Sequence, residues 1–373
     1  MENNKSVLLA GGGTAGHVNP LLAAARSLRD KGWQVTIVGT REGKETELVP
    51  AAGFELHYIP RIPLPRRPSL QFFTIPTRMR ATVGKIESLI REKKVSVVIG
   101  FGGYVSTPAY LAARRTQVPL VIHEQNARPG LANRLGARWA KAVALTFPST
   151  KLQAKRGETV CIGLPLRPEI GELARKRQDP QEKQRQRAAA LKSFELDPQL
   201  PTLLVTGGSL GALSLNQALQ ESAAQLPENI QVIHLTGKGK DEPVLRALPE
   251  SLKSRYRILD YLVDMERAFA AADLVVCRSG AGTVAEMTAL ALPAVYVPLP
   301  IGNGEQRLNA EDAVKSGGAL LVDNAQFDAD FVTGKVVPLL LSPERLQQMS
   351  QALPEEGIDA AEKLAKIAEE VIR

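Results

Sequence analysis

Twice along this chain of 373 residues a short aliphatic run breaks straight into a glycine-rich loop and then into helix. The first instance is SVLLA, then GGGTAGH, then a helix from Pro20 to Lys31; the second is Thr202 to Thr206, then GGSLGA, then a helix from Leu213 onward. A strand that feeds a helix needs a parallel neighbour reached by a crossover, so repetition of this unit points to parallel sheets covered by helices. Further strand-like runs at QVTIVG, Val95 to Phe101, Leu120 to His123, Gln231 to Thr236 and Ala294 to Pro298 continue the pattern. The length exceeds one ordinary core and suits two domains. The expectation is therefore α/β: two Rossmann-like domains with a cleft between them, over 1–165 and 166–350. A closing helix over 351–373 carries Ala361, Leu364, Ala368 and Val371 on one face, with Asp359 and Glu362 as its capping box.

Gly11, Gly13 and Gly16 satisfy the G-x-G-x-x-G spacing directly after a strand. A dinucleotide site also needs an acidic residue about 20 residues on, at the end of the second strand, and that strand ends here in Gly39-Thr40. A nicotinamide or flavin cofactor is thus not indicated.

The most informative stretch runs from Asp273 to Ala310. After the β-branched run Asp273 to Cys277, Arg278 to Gly282 form a small, flexible loop and a helix opens at Thr283. Unsatisfied N–H groups and the positive dipole end of a helix suit a phosphate. Glu286, expected on the first turn, can accept two hydrogen bonds from a vicinal diol such as a ribose. The loop EQRLNA then brings Gln306 and Asn309 to the same rim. An ordinary strand-to-helix turn with a dipole-matched carboxylate would read the same way, and the amides of the second loop argue against it.

Charge is local. Between Arg61 and Arg115 eleven Lys or Arg face only Glu87 and Glu92, a surplus that accounts for the whole net charge of +8. Within it, Leu64, Leu70, Phe72, Phe73, Ile75 and Met79 are interleaved with Arg61, Arg66, Arg67, Arg78, Arg80 and Lys85, a composition suited to an anionic membrane surface, though part of the apolar set also fits plain core. No apolar run approaches the ~18 residues needed to span a bilayer. Met1 to Ala10 reads as a first strand and not a signal peptide. Residues 174–199 are strongly charged and read as a solvated helix and connection. Aromatics at 5% and the lack of a stacking motif argue against nucleic acid. Cys161 and Cys277, both in strand-like contexts, read as buried thiols.

The strings GGGTAGHVNP, GFGGYVSTPAYLAA, HEQNARPGLANR, GLPLR, GGSLGA, SGAGTVAE and EQRLNA occur in that order and cover nearly the whole chain. Together they resemble the MurG family of bacterial glycosyltransferases, whose two-domain architecture is called GT-B. The resemblance implies transfer of N-acetylglucosamine from UDP-N-acetylglucosamine, with inversion, to the 4-hydroxyl of an undecaprenyl-diphosphate-linked muramyl-pentapeptide, the step from lipid I to lipid II in peptidoglycan synthesis. It implies a peripheral enzyme on the cytoplasmic face of the cell membrane, docked on its anionic inner surface, with no cofactor and no catalytic metal. It also implies that the last helix crosses back to the N-terminal domain.

Residue by residue, the resemblance assigns Thr14, Ala15, Gly16, Asn126, Arg167 and Ser209 to donor and diphosphate contacts. It assigns Ala281, Gly282, Thr283, Val284, Ala285 and Glu286 to the nucleotide, Leu262 to a backbone contact with the uracil, and Gln306 to the sugar. Where family members often carry an acidic residue, His or a second Gln, this chain reads Ile301-Gly302-Asn303-Gly304-Glu305.

The reaction itself requires stabilising a departing diphosphate and deprotonating a hydroxyl. No Asp-x-Asp pair in the second half has the setting of a metal site, whereas Ser209 and the loop before Thr283 offer donors. His17 is the candidate base because its unperturbed pKa lies near working pH. A loop histidine bonded to backbone is the competing account. His123 and Glu124 of HEQN are rivals, and His57 and His234 read as structural. A UDP-N-acetylglucosamine 2-epimerase, a soluble-acceptor transferase and a non-catalytic UDP-sugar sensor are the alternative functions for such donor loops.

Overall fold

The computed structural model describes residues 5–62, 75–208, 210–301, 303–354 and 357–373. The chain divides into two compact units, Met1–Pro168 with Gly357–Arg373, and Glu169–Glu356. Among the described residues the first unit holds seven strands: β1 (Ser6–Ala10), β2 (Gln34–Gly39), β3 (Leu56–Tyr58), β4 (Val97–Gly100), β5 (Leu120–Glu124), β6 (Ala142–Leu145) and β7 (Glu158–Cys161). They lie in the order β3-β2-β1-β4-β5-β6-β7. The second unit orders β8 (Thr202–Thr206), β9 (Gln231–Leu235), β10 (Tyr256–Leu259), β11 (Leu274–Cys277), β12 (Ala294–Tyr296) and β13 (Ala319–Leu321) as β10-β9-β8-β11-β12-β13.

Among the described residues every strand pairing is parallel, and the registers bring the strand ends of each sheet to one edge. Ala10 pairs with both Val38 and Gly100, and Cys277 with both Thr206 and Tyr296. Strand order reverses between β1 and β4 and between β8 and β11. Open α/β sheets bind ligands outside the carboxyl ends of their strands at such reversals, and each is flanked here by glycine-rich loops.

Because helices cover both faces, β1 is buried along its whole length and is apolar from Val7 to Ala10. Its side chains still alternate: Val7 and Leu9 join one core with Leu21, Leu28 and Ile99, while Leu8 and Ala10 join the other with Val98, Ile86 and Tyr110. Gly100 and Gly136 leave the space that the buried Tyr110 ring fills, since a Cβ at either position would overlap it. The closing helix, Ala360–Glu370, lies against the Ala15–Asp30 helix and buries Leu364, Ala365 and Ala368 completely. Lys5 Nζ meets Glu369 at 2.9 Å beside it. The buried stripe starts at Ala360 instead of Ala361 and leaves Val371 half-buried, and Asp359 makes no side-chain capping bond at the helix start.

Several local readings are corrected. The first helix begins at Ala15, with Pro20 inside it, because extended Thr14 at φ −122° already serves as N-cap. Pro20 forgoes only the bond its N–H would have made to Gly16. Cys161 is exposed because β7 is an edge strand open along its length, whereas Cys277, on central β11, is buried. The segment 174–199 is not simply solvated. From the Pro180–Ser193 helix, Arg187 grips Asp273 through two bonds of 3.1 and 2.8 Å and donates to the carbonyls of Pro198 and Leu200. A planar guanidinium fork suits that geometry, and it fastens the helix to the start of β11. Among the described residues no helix is long and apolar enough to cross a membrane.

Candidate active site

In the first unit the site grows from the loop after β1. Thr14, Ala15 and Gly16 are exposed, and His17 is half-buried as the third residue of the helix they open. Thr14 Oγ1 lies 3.0 Å from His17 Nδ1. Burial lowers the pKa of His17, and the negative charge of Glu45 opposes that shift without overcoming it. The loop after β4 closes over this one: Gly102 and Gly103 adopt φ of +85° and +79°, and a Cβ on Gly103 would stand 3.0 Å from the Gly12 carbonyl. A Cβ on Gly102 would touch both His17 and Asn133, which places those two side chains side by side.

A small cavity of about 190 Å³ lies between the glycine loop, Thr40, Gly43 and Tyr104. At its rim the Arg61 guanidinium sits 5.3 Å from the centroid of the Tyr104 ring, and Arg78 donates to the Arg61 carbonyl at 3.0 Å. Arg61 and Tyr104 are therefore rim residues of this cavity.

The rival bases stand otherwise than expected. His123 is fully buried, its Nε2 is 2.9 Å from the Gly163 carbonyl, and burial lowers its pKa to about 4. It has no access to a substrate hydroxyl in this conformation. Glu124 is 3% exposed and accepts from the Asn126 and Gly130 amides, both at 3.0 Å, and from Asn133 Nδ2 at 2.9 Å. Burial raises its pKa against those bonds. Tyr110 completes the chain by donating to Asn133 Oδ1 at 2.6 Å. Glu124 thus folds the loop that carries half-buried Asn126. Arg167, also half-buried, follows β7 just ahead of the Pro168–Arg177 helix and belongs to the first unit.

In the second unit the helix after β11 is Ala281–Ala289, two residues longer at its start than expected, with Gly280 as N-cap. Glycine at the cap and small residues behind it let the chain turn directly from strand to helix. The opening amides belong to Ala281, Gly282 and Thr283, and space is open beside Gly280 and Gly282. Val284 and Ala285 point into the core, and the Val284 N–H already bonds to the Gly280 carbonyl at 3.0 Å. Glu286 is the sixth helical residue and half-buried, so it stands one turn above the helix opening. Gln306 Oε1 accepts from the Leu299 amide at 2.9 Å, leaving its amide hydrogens as the groups it offers. Asn309 is buried and donates to the Ser279 carbonyl at 3.4 Å, tying the two loops together. Leu262 is half-buried in the loop after β10. Ser209 lies outside the described residues.

Two residues escaped the reading of the sequence. Arg278, assigned there to a flexible loop, donates to the carbonyls of Val297 and Pro298, to Asn324 Oδ1 and to Ser214 Oγ at 2.7 to 3.2 Å. One guanidinium thereby joins the ends of β11 and β12 to the helix after β8. Glu45, at the start of the Glu45–Ala51 helix, is wholly buried beneath the first glycine loop. Glu45 sits among Glu42 and Glu47 with nothing in the sequence to set it apart, and Arg278 had no local signal either.

The structural histidine reading holds for His234, which is buried between Tyr256 and Asn216 with its pKa lowered to about 3 by burial. Among the described residues no group of three or more His, Cys, Asp or Glu is placed to hold a metal ion. Of the Asp-x-Asp pair Asp328 and Asp330, Asp328 caps its own helix through the Phe331 amide. A cavity of about 700 Å³ in the second unit opens at the opposite end of the sheet, beside Arg177, Asp273 and Leu340, and contains none of the expected site residues.

Residues 7–145 match the glycosyltransferase family 28 N-terminal domain and residues 202–371 the C-terminal domain of the same family. A UDP-N-acetylglucosamine–N-acetylmuramyl-(pentapeptide) pyrophosphoryl-undecaprenol N-acetylglucosamine transferase from Streptomyces avermitilis is 48% identical, the match covering 96% of each chain. Its counterpart from Bifidobacterium adolescentis is 46% identical over 98% of this chain and 97% of that one. The crystal structure of Acinetobacter baumannii MurG superposes with a TM-score of 0.79 at 26% identity, covering 98% of this chain and 99% of that one. A UDP-GlcNAc 2-epimerase from Neisseria meningitidis shares the fold, with a TM-score of 0.68 at 15% identity, covering 99% of this chain and 100% of that one. The two family 28 domains, the paired parallel sheets and this near full-length identity show that the chain belongs to the MurG family of UDP-N-acetylglucosamine-dependent glycosyltransferases.

Proposed function

We propose that in the reaction of its family, transfer of N-acetylglucosamine from UDP-N-acetylglucosamine to the 4-hydroxyl of lipid-linked N-acetylmuramyl-pentapeptide, this chain uses His17 as general base and the loops after β8, β11 and β12 as the donor site. The chain is a glycosyltransferase of peptidoglycan synthesis, and lipid I and lipid II are its acceptor and product. The observation that carries the base assignment is the Thr14–His17 pair at the open end of the first glycine loop. When Thr14 Oγ1 accepts from Nδ1–H, Nε2 carries the lone pair that an attacking hydroxyl needs. A lowered pKa keeps that lone pair available at neutral pH.

The acceptor oxygen bonds to the anomeric carbon as the bond from that carbon to the diphosphate breaks; the hydroxyl proton goes to His17 and the electron pair leaves with UDP. The opening amides at Ala281, Gly282 and Thr283 meet the charge that develops on the diphosphate. Glu286 accepts from the ribose hydroxyls, and Gln306 donates to the sugar through its amide hydrogens. Val284 and Ala285 contribute by backbone and helix packing, because their side chains face the core. Thr14, Ala15, Gly16, Asn126, Arg167, Ser209 and Leu262 keep the donor-contact roles that the resemblance implies.

The first unit, on this reading, is the acceptor and membrane side and the second the donor side. The enzyme docks peripherally on the anionic cytoplasmic face of the cell membrane and takes no nucleic acid. Support for docking comes from the Ile75–Glu92 helix, which sends Val83, Ile86 and Ile90 into the core and leaves Arg78, Arg80 and Lys85 exposed. Met79 packs on the core and is withdrawn from the membrane set, while Ile75 stays half-buried. Leu64, Arg66, Arg67, Leu70, Phe72 and Phe73 lie outside the described residues.

UDP release measured with and without a lipid-linked muramyl acceptor tests the whole reading. Release that depends on the acceptor is expected. Release without it, or epimerised UDP-sugar as product, would overturn it.

A further inference from the structure

An acidic residue at the end of the second strand is what a dinucleotide-binding loop uses to hold a ribose, and β2 has none. The acid arrives instead from the next helix and points the other way. Glu45 is 0% exposed, its Oε2 accepts from the Gly13 amide at 2.8 Å, and its Oε1 accepts from the Thr40 amide and the Thr40 hydroxyl, both at 2.8 Å. Its carboxylate fills the space beside Gly12 and Gly43 and its methylene stem the space beside Gly39: a Cβ at any of the three would overlap the Glu45 side chain. Three glycines from three segments thus make room for one carboxylate beneath the loop that ends in His17.

We propose that Glu45 is the positioning residue of this loop, pinning Gly13 and Thr40 so that Thr14 and His17 are presented in one place, and setting a negative charge behind the imidazole. The kinetic side of this proposal rests on His17 being the base; the structural and electrostatic sides do not. Burying a carboxylate is costly unless its oxygens are paired. Here burial pushes the Glu45 pKa up, but the bonds from Gly13 and Thr40 outweigh it and hold the pKa below the ordinary value, so the group is charged at neutral pH. That charge raises the pKa of His17, against the larger lowering by burial. Among the described residues, the other charged or titratable groups around the loop include Lys44, whose amide donates to the Gly13 carbonyl at 3.4 Å, Glu42, Arg61 and Tyr104 at the cavity rim, and Glu124 behind Asn133.

Removing the charge removes the part that raises His17, so its titration moves to lower pH. The acid limb of kcat/KM, where a base is lost by protonation, moves the same way.

The test uses the full chain with Glu45→Gln and Glu45→Asp, each checked for folding by circular dichroism. Glu45→Gln keeps the reach but loses the charge, and its amide cannot accept from both Gly13 and Thr40. Its kcat should fall between about 10-fold and about 100-fold while the donor KM stays within about twofold. Histidine NMR should show His17, one of four histidines, titrating at lower pH than in the parent. Glu45→Asp keeps the charge but not the reach, so it should lose kcat while His17 titrates closer to the parent. An unmoved His17 titration in Glu45→Gln overturns the proposal, as does an unchanged kcat when the acid limb has shifted with the titration. A titration that moves while the kinetic limb stays would uphold the role of Glu45 and remove His17 as base. If Glu45→Gln does not fold, Thr40→Val, which deletes only the hydroxyl bond, should still lower kcat about threefold. No loss there sinks the idea as well.

Discussion

Each unit opens a glycine-rich loop at the point where its sheet reverses order, and the two loops are braced by opposite charges. Beneath the first lies Glu45, a carboxylate wholly withdrawn from water; at the root of the loop after β11 stands Arg278, a half-buried guanidinium that binds two carbonyls, an amide and a hydroxyl. The geometry required is similar, a strand handing over to a helix with its first amides exposed. The sign of the brace is what separates the two. A cation beside a loop favours an approaching diphosphate, whereas an anion beneath a loop steadies the protonated form of a neighbouring imidazole. Identical backbone grammar can therefore serve an anion site in one unit and a proton acceptor in the other.

The sharpest way to break this comparison is at His17. His17→Ala should lower kcat by about 10² to 10⁴ and raise the donor KM far less, since general-base assistance is of that size. A pH–rate profile that keeps its acid limb in this variant would place the base elsewhere. Next is the cationic brace. Arg278→Met deletes the partner of several buried acceptors, which should cost about 2 to 4 kcal/mol of stability, read as a lower midpoint in urea unfolding of the whole chain. A midpoint equal to the parent's would mean the clamp is incidental.

A smaller effect is expected outside both loops. Replacing Arg78 and Arg80 by Gln removes two exposed charges, about 2 kcal/mol of attraction to an anionic surface at most. Binding to vesicles rich in anionic lipid should weaken accordingly, and turnover on a short, water-soluble acceptor should be nearly unchanged. Equal loss on both acceptors would end the membrane reading of this helix. The smallest change is Glu286→Ala, which should reduce kcat/KM for UDP-N-acetylglucosamine about tenfold through lost hydrogen bonds to a charged acceptor. A donor KM that does not respond would remove Glu286 from the ribose.

What could be read along the chain was whatever is written in neighbouring residues. The parallel-sheet class, the glycine loops and the order of the site motifs are local patterns of period, turn and cap, and SGAGTVAE shows its strand-to-helix handover in eight letters. Local reading erred where neighbours were ambiguous. Pro20 looked like a helix start, but Thr14 had already begun the helix, and Thr283 looked like the start of a helix that opens at Ala281.

The tertiary structure decided which polar groups lose water and which partners they then meet. His123 and Glu124 stand side by side in the sequence as equivalent candidates, yet one is consumed by the Gly163 carbonyl and the other by a loop it organises. Cys161 and Cys277 look alike until one falls on an edge strand and the other on a central one. Glu45 and Arg278 work through partners that only the packing of separate segments brings near. The physical reason is the same throughout: backbone conformation is set by adjacent side chains, whereas desolvation, and with it pKa and hydrogen-bond pairing, is set by residues distant in the chain. The amino-acid order alone was enough for the fold class and the family; which charged side chains lose water was settled by what folds over them.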